Sequence, residues 1–487
     1  MTAQRLVPFA VALVAMFALC AFLFGLQANG YESTSNLDQW GRSLLARSGG
    51  LSFADVVTAF PPIALIAMIC LDWLAPQLGP LTPLVLSAAL ASALLTSWFS
   101  GMRAAGLGTR RSLIATALLG INPAFLHAVS EGAGIVLTLW GLWLLAIGMF
   151  NLRQETRTND IILVAGALVL LGFSEPFGLI AACAAIPFLS VVVPPDLLAK
   201  STGGVFIVLL FPFAFSVAGF LYVNWLFTGD PMHFSATFGQ GAAGVDLRAR
   251  YGPVPAPSVA LAVAGLLLAN PLGLWSLARF RRVGPLHRGT LAILGFAVSS
   301  ILIGWAAGDL PAPAVTAGLV CSLAAATGAV CARYSRLRRV IVPALFAGLV
   351  GGSIVTFADH TAPTGRWRAA ALSHRVAPLD PELRQLGLAL RDRQGILFDA
   401  ASAPIAVAAR RTADGIHSAQ SHAFRLASLT GRFSAPFLVV RSAESETGAD
   451  ALGRIFPSLF QNGAAGYRLI FDGLDWRIYA ADVEKTP

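Results

Sequence analysis

The chain is 487 residues long, 56% hydrophobic and only 12% charged, with a formal net charge of +9 and a mean hydropathy of +0.71. A soluble globule carries about 25% charged residues. A soluble fold is therefore excluded, together with disordered, collagen-like and disulfide-scaffold chains. What remains is a polytopic α-helical membrane protein. Of the 34 basic residues only Lys200 and Lys485 are lysine. The arginines cluster in short loops between apolar runs: Arg103, Arg110 and Arg111; Arg279, Arg281, Arg282 and Arg288; Arg333, Arg336, Arg338 and Arg339. That is the positive-inside pattern of a membrane protein and not a nucleic-acid footprint.

Residues 6–26 form a long apolar run behind Arg5, without a small-x-small cleavage site after it, and read as a retained first helix. Residues 27–57 form a polar loop. Within it Leu37, Trp40, Leu44 and Leu45 share one helical face, which predicts a helix on the membrane surface with Trp40 at headgroup depth. Further apolar runs lie near 58–75, 81–100, 112–128, 132–150, 161–173, 177–193, 203–227, 258–277, 289–307, 312–332 and 340–358. Placing the arginine loops in the cytoplasm puts the turns near Glu131, Glu175, Asp230 and Asp309 outside. It also requires an odd number of crossings before residue 103. The run 58–75, with Pro61-Pro62 and Asp72, is therefore expected to be re-entrant or interfacial, leaving about eleven transmembrane helices. No internal repeat with paired broken helices is visible, which disfavours a transporter.

Residues 359–487 contain no run able to span and hold 13 of the 25 acidic residues. They predict a soluble extracytoplasmic α/β domain behind a membrane domain of residues 1–358. Helical spacing covers 381–393, and strand-like runs cover 395–399, 405–409, 436–441, 467–471 and 476–480. Asp472-Gly473-Leu474-Asp475 joins the last two as a hairpin. The five cysteines lie in or beside apolar segments with no CxxC spacing, which gives neither a disulfide nor a zinc pattern. No HExxH, Walker or GxSxG motif is present.

The acids of the membrane part are few, and acids at bilayer depth are costly and face cavities or partners. Asp38 lies in the amphipathic stretch, and either acts in catalysis or pairs with Arg42 one turn on. Asp55 is a site acid or a helix cap. Glu131 and Glu175 either line a site or cap the helices that follow them. Asp230, in Gly229-Asp230-Pro231, is a turn residue by its chemistry. His233 follows it. Arg248 and Arg250 are phosphate contacts or interfacial anchors.

The order of these features resembles the GT-C superfamily of lipid-phosphate-sugar-dependent glycosyltransferases, whose members include protein-O-mannosyltransferase-like and aminoarabinose-transferase-like enzymes. The likeness rests on a first helix followed by an outer-loop acid, Asp38, and on Phe60-Pro61-Pro62. It rests also on the outer loop Asn224-Trp225-Leu226-Phe227-Thr228-Gly229-Asp230-Pro231. A closing polar region carries Gly466-Tyr467-Arg468-Leu469-Ile470 and Trp476-Arg477-Ile478-Tyr479. The resemblance implies a multi-pass GT-C-like fold in a bacterial inner membrane. It implies a polyprenyl-phosphate sugar donor and a glycan, lipid or protein acceptor outside the cytoplasm. It places Asp38 in the role of catalytic base or holder of a divalent cation, and Asp55 stands beside it as the second candidate catalytic acid of the first loop. Glu131, Glu175, Asp230, His233, Arg248 and Arg250 would then line the substrate site. Two positions depart from the family: Gln39 stands where a second acid is common, and Phe60 where a basic residue is common. The rival reading is a non-catalytic membrane scaffold on the same fold.

Overall fold

The computed structural model describes residues 3–154, 157–234, 255–279, 284–445 and 448–482. The chain divides into two compact units. A helical unit contains residues 1–31, 84–222 and 253–376, and a mixed unit contains residues 32–83, 223–252 and 377–487. Among the described residues seven helices are long and apolar enough to cross a membrane, or up to nine if each of two bent pairs is one span. The protein is thus a polytopic helical membrane protein.

The helices of the first unit are α1 (Ala3–Ala28), α5 (Thr82–Ala104), α6 (Thr109–Gly120), α7 (Pro123–Ser130), α8 (Ala133–Gln154), α9 (Thr158–Gly172), α10 (Pro176–Val192) and α11 (Pro195–Thr228). They continue with α12 (Ala256–Ala269), α13 (Pro271–Arg279), α14 (Gly284–Ala307), α15 (Pro313–Ala332), α16 (Arg338–Ala358) and α17 (Ala362–Ala371). Helix α15 is buried along its whole length. Its small side chains allow close approach: a Cβ on Gly318 would lie 2.2 Å from the Ala124 carbonyl oxygen of α7. Hydroxyls that would be orphaned in an apolar interior bond back to their own helix, as Thr327 does to the Leu323 carbonyl at 2.8 Å and Thr356 to that of Gly352 at 2.8 Å.

Two helices are broken. Helices α6 and α7 meet at 62°, and α12 and α13 at 72°. Both breaks fall at an Asn-Pro step, because proline removes an N–H and disfavours helical backbone in the residue before it. The asparagine side chains take over part of the lost bonding. Asn122 Oδ1 accepts from Ala124 N at 3.1 Å, and Asn270 Oδ1 from Gly273 N at 3.1 Å. Asn122 Nδ2 also donates to the Gly348 carbonyl of α16 at 3.3 Å. Two broken helices, which the sequence did not reveal, are therefore present among the described residues, each either a broken span or a re-entrant loop.

The mixed unit contains α2 (Thr34–Arg47), α3 (Phe53–Val57), α4 (Pro62–Leu74), α18 (Pro381–Ala389), α19 (Pro404–Arg410), α20 (His422–Thr430), α21 (Ala451–Ile455) and α22 (Leu459–Asn462). Its strands are β1 (Ile396–Leu397), β2 (Ile416–His417), β3 (Phe437–Arg441), β4 (Tyr467–Asp472) and β5 (Trp476–Ala481). They form one sheet in the order β2-β1-β3-β5-β4. The pairs β1–β2 and β1–β3 are parallel, and β3–β5 and β4–β5 antiparallel. The expected hairpin joins β4 to β5. Period-two alternation splits the sheet's side chains between two cores. Val439, Trp476 and Ile478 face one, and Leu438, Val440 and Tyr479 face the other.

Three expectations are corrected here. The amphipathic helix α2 does not hold Trp40 at headgroup depth. Trp40, Leu44 and Leu45 are buried in one core with Leu386, Phe398, Ile405 and Ile478. An apolar helical face fits a protein core as well as a membrane surface, and Gly41 is what decides. A Cβ there would lie 1.9 Å from the Pro404 carbonyl oxygen, so α2 runs directly against α19. Residues 405–409 are helical, not a strand: Pro404 sits at the helix start, and a five-residue apolar run carries no period of its own. The division between units falls after Val376, not after residue 358. Asp359 explains why. Its side chain accepts from Ala314 N at 3.0 Å and from Thr364 Oγ1 at 2.7 Å, holding the segment that follows α16 within the helical unit.

Candidate functional site

In the mixed unit Asp38 is buried on α2, at 5% exposure, and Arg42 Nε donates to its Oδ2 at 2.8 Å. Burial pushes the Asp38 carboxyl above its usual range, and Arg42 opposes the shift. Its second oxygen, Oδ1, is buried without a hydrogen-bond partner among the described residues. Asp55 closes a capping box at the start of α3: Oδ2 accepts from Ser52 N at 2.8 Å and Ser52 Oγ accepts from Asp55 N at 3.1 Å. Arg42 also feels the charge of Asp55, which in turn reaches Asp399, so these three acids and Arg42 are electrostatically linked. Among the described residues no group of three or more His, Cys, Asp or Glu side chains is placed to hold a metal ion.

Beyond the carboxyl ends of β1 and β3 two more acids are buried. Asp399 Oδ2 accepts from Ala451 N at 2.9 Å, and Asp450 Oδ1 caps α21 by accepting from Gly453 N at 2.8 Å. Burial pushes Asp450 up to about 6, against the bonds it accepts from Gly453 and Arg441. These contacts pin loops together.

A different cluster gathers in the helical unit. Glu131 ends α7, where the chain turns into α8. Its Oε1 accepts from the Tyr31 hydroxyl, just beyond α1. His127, one turn earlier on α7, is fully buried and places Nε2 3.3 Å from the same oxygen. The imidazole stacks on Trp367 of α17 with centroids 4.9 Å apart, and the Arg366 guanidinium lies over the Tyr31 ring at 5.8 Å. Burial and the adjacent Glu131 carboxylate hold the Tyr31 phenol well above its usual range, so it remains a donor. In the turn between α9 and α10, burial and the charges of Glu131 and Asp309 push Glu175 up to about 8. Glu131 is the more accessible of the His127–Glu131 pair, its side chain 23% exposed against 0% for His127. A partly exposed carboxylate that accepts from a phenol can take up a proton, while the nearby His127 imidazole makes no hydrogen bond to it among the described residues.

Of the expected site residues, Glu131 and Glu175 are thus brought together. Asp38 and Asp55 lie in the mixed unit, in an ion pair and a cap. Asp230 makes a turn, its Oδ1 accepting from Met232 N at 2.8 Å, with exposed His233 beside it. Arg248 and Arg250 lie outside the described residues. Tyr31, His127, Asp309, Arg366 and Trp367 were not singled out as site residues from the sequence. Only the His127–Glu131 spacing of four, on one helical face, was there to be read. Neither the known family models nor the curated proteins contain a match to this chain.

Proposed function

We propose that the protein is a multi-pass glycosyltransferase of a bacterial inner membrane. It would move a sugar from a polyprenyl-phosphate donor to a glycan, lipid or protein acceptor outside the cytoplasm. The observation that carries this reading is the cluster of Glu131, Glu175, Asp309, His127 and Tyr31, drawn from three inter-helix turns and the end of α1. Burying several ionisable groups together is costly unless they have work to do. In the proposed reaction the acceptor hydroxyl loses its proton to Glu131 as its oxygen bonds to the sugar carbon. The bond from that carbon to the phosphate oxygen breaks, and polyprenyl phosphate leaves. Arg366, whose guanidinium lies over the Tyr31 ring, would meet the phosphate. Asp38, paired through Oδ2 with Arg42, orders the first loop.

The topology that accompanies this reading has eleven crossings. Helices α1, α5, α8, α11, α14, α15 and α16 supply seven, the bent pairs two, and the shorter α9 and α10 the rest. Helix α4 does not cross. The arginine loops then face the cytoplasm, and residues 377–487 the periplasm. The scaffold alternative draws on one observation: Asp38 is paired with Arg42, and Asp55 caps α3.

The deciding experiment is in cells. Glu131→Gln at normal membrane abundance should abolish transfer of the envelope sugar, and the chain purified into vesicles should release polyprenyl phosphate from a polyprenyl-phosphate sugar. An unchanged set of envelope glycans in Glu131→Gln and in a deletion strain would leave the scaffold.

A further inference from the structure

Helix α4 has two unlike faces. Ala64, Leu65, Met68 and Asp72 are buried within the mixed unit. On the opposite side Ile66, Cys70, Trp73 and Leu74 form an exposed stripe at spacings of four, seven and eight residues; Trp73 is 66% and Leu74 82% exposed. The buried face is locked by charge: Arg47 Nη1 of α2 lies 3.0 Å from Asp72 Oδ2. A helix of 13 residues is about 20 Å long, short of the roughly 30 Å of a hydrocarbon core.

What covers the stripe follows from the continuity of α3 and α4 with membrane helices. Phe53, which opens α3, packs edge-on against Phe227 at 5.9 Å, and Phe227 lies in the last turn of the long apolar helix α11. At its other end α4 is separated from the apolar helix α5 only by the short 3₁₀ segment Pro76–Leu81. At that end the chain therefore ties α4 directly to a helix long enough to cross the bilayer. Exposed Phe53, Trp73 and Trp225 are aromatic side chains of the kind that settle at that depth. We propose that α4 is an interfacial helix of the mixed unit, lying in the outer boundary of the bilayer with Ile66, Cys70, Trp73 and Leu74 among the lipid acyl chains. This goes beyond the reading that the segment does not cross, and it holds whether or not the protein transfers sugars.

Cys70 supplies the probe. In the full chain, with the other four cysteines replaced by alanine and the protein reconstituted into phosphatidylcholine–phosphatidylglycerol vesicles, a spin label on Cys70 should collide freely with dissolved oxygen. It should be shielded from a water-soluble nickel chelate. A label at Leu474→Cys, on the 91% exposed hairpin tip, should show the reverse order. Nickel access at Cys70 equal to that at residue 474 would place the stripe in water. Shielding from both reagents would mean that a protein, such as a second copy of the chain, covers it. Either result overturns the proposal. A lipid-dissolved diazirine applied to the native chain gives an independent reading: peptide mapping should find adducts at residues 66–74, and their absence would also refute it.

Discussion

Gly41→Ala tests the packing of α2 against the mixed unit. The added methyl would sit 1.9 Å from the Pro404 carbonyl oxygen and 2.5 Å from its carbon, whereas real Cβ contacts are almost never under 3.0 Å. Both clashing atoms are backbone, so no side chain can turn away. Relief requires α2 and α19 to separate by about 1 Å, and overpacking of this kind costs about 1–3 kcal/mol. Full detachment is opposed by Trp40, Leu44 and Leu45, each worth about 1.5–3 kcal/mol when buried, so the helix should loosen without leaving. A loss of one to two kcal/mol raises an open population roughly 5- to 30-fold. The assay is tryptic cleavage after Arg42 and Arg47, both on α2, in conditions where opening is fast relative to cutting. Gly25→Ala is the control, because a Cβ there meets nothing within 4 Å. Cleavage of Gly41→Ala at the control rate, with an unchanged melting midpoint, would refute the packing of α2 on α19.

Other substitutions separate the remaining claims. Glu131→Gln should lower sugar transfer by about 10²–10⁴, whereas Asp38→Asn should keep it within about tenfold; the reverse order would return the proton acceptor to Asp38. Arg47→Ala leaves Asp72 buried without its partner and should cost about 1–3 kcal/mol, and Asp72→Asn in the same chain should restore most of it; thermal unfolding in detergent reads both. Glu175, raised in the folded state from 4.5 to about 8, favours the fold fully below pH 4.5 and loses that contribution as pH rises toward 8. Glu175→Gln should therefore flatten the fall in melting midpoint across this window, and an unaltered slope would show that the carboxyl is not held protonated.

The parts of the fold that could be read from the sequence are those with a period or a punctuation mark. The apolar runs fall where the long helices form. Alternation located β3, β4 and β5, and Asp472-Gly473 marked their hairpin. Runs too short to carry a period could not be resolved: 405–409 became helix, and β2, with Ile416 and His417, is two residues long and went unseen. The face of α2 carried a true amphipathic signal whose partner was not encoded locally, because Pro404 is far away in the chain. The candidate cluster was half visible for a similar reason. Glu131 and Glu175 stood out as rare acids. Tyr31, Arg366 and Trp367 are ordinary residues in ordinary surroundings until α1 and α17 bring them to His127.

The mixed unit also sets a timetable for the cell. Gly41 leaves the ribosome roughly 360 residues before Pro404. At about 5–20 residues per second, α2 waits some 20–70 s for the surface it will occupy. Throughout that interval its tryptophan and leucines face water, lipid or a helper protein. Assembly of the first polar loop is therefore one of the last events in the life of the nascent chain, although its sequence is among the first made. A message truncated anywhere before residue 377 would leave α2 permanently stranded, a lasting mark by which quality control can recognise an unfinished molecule.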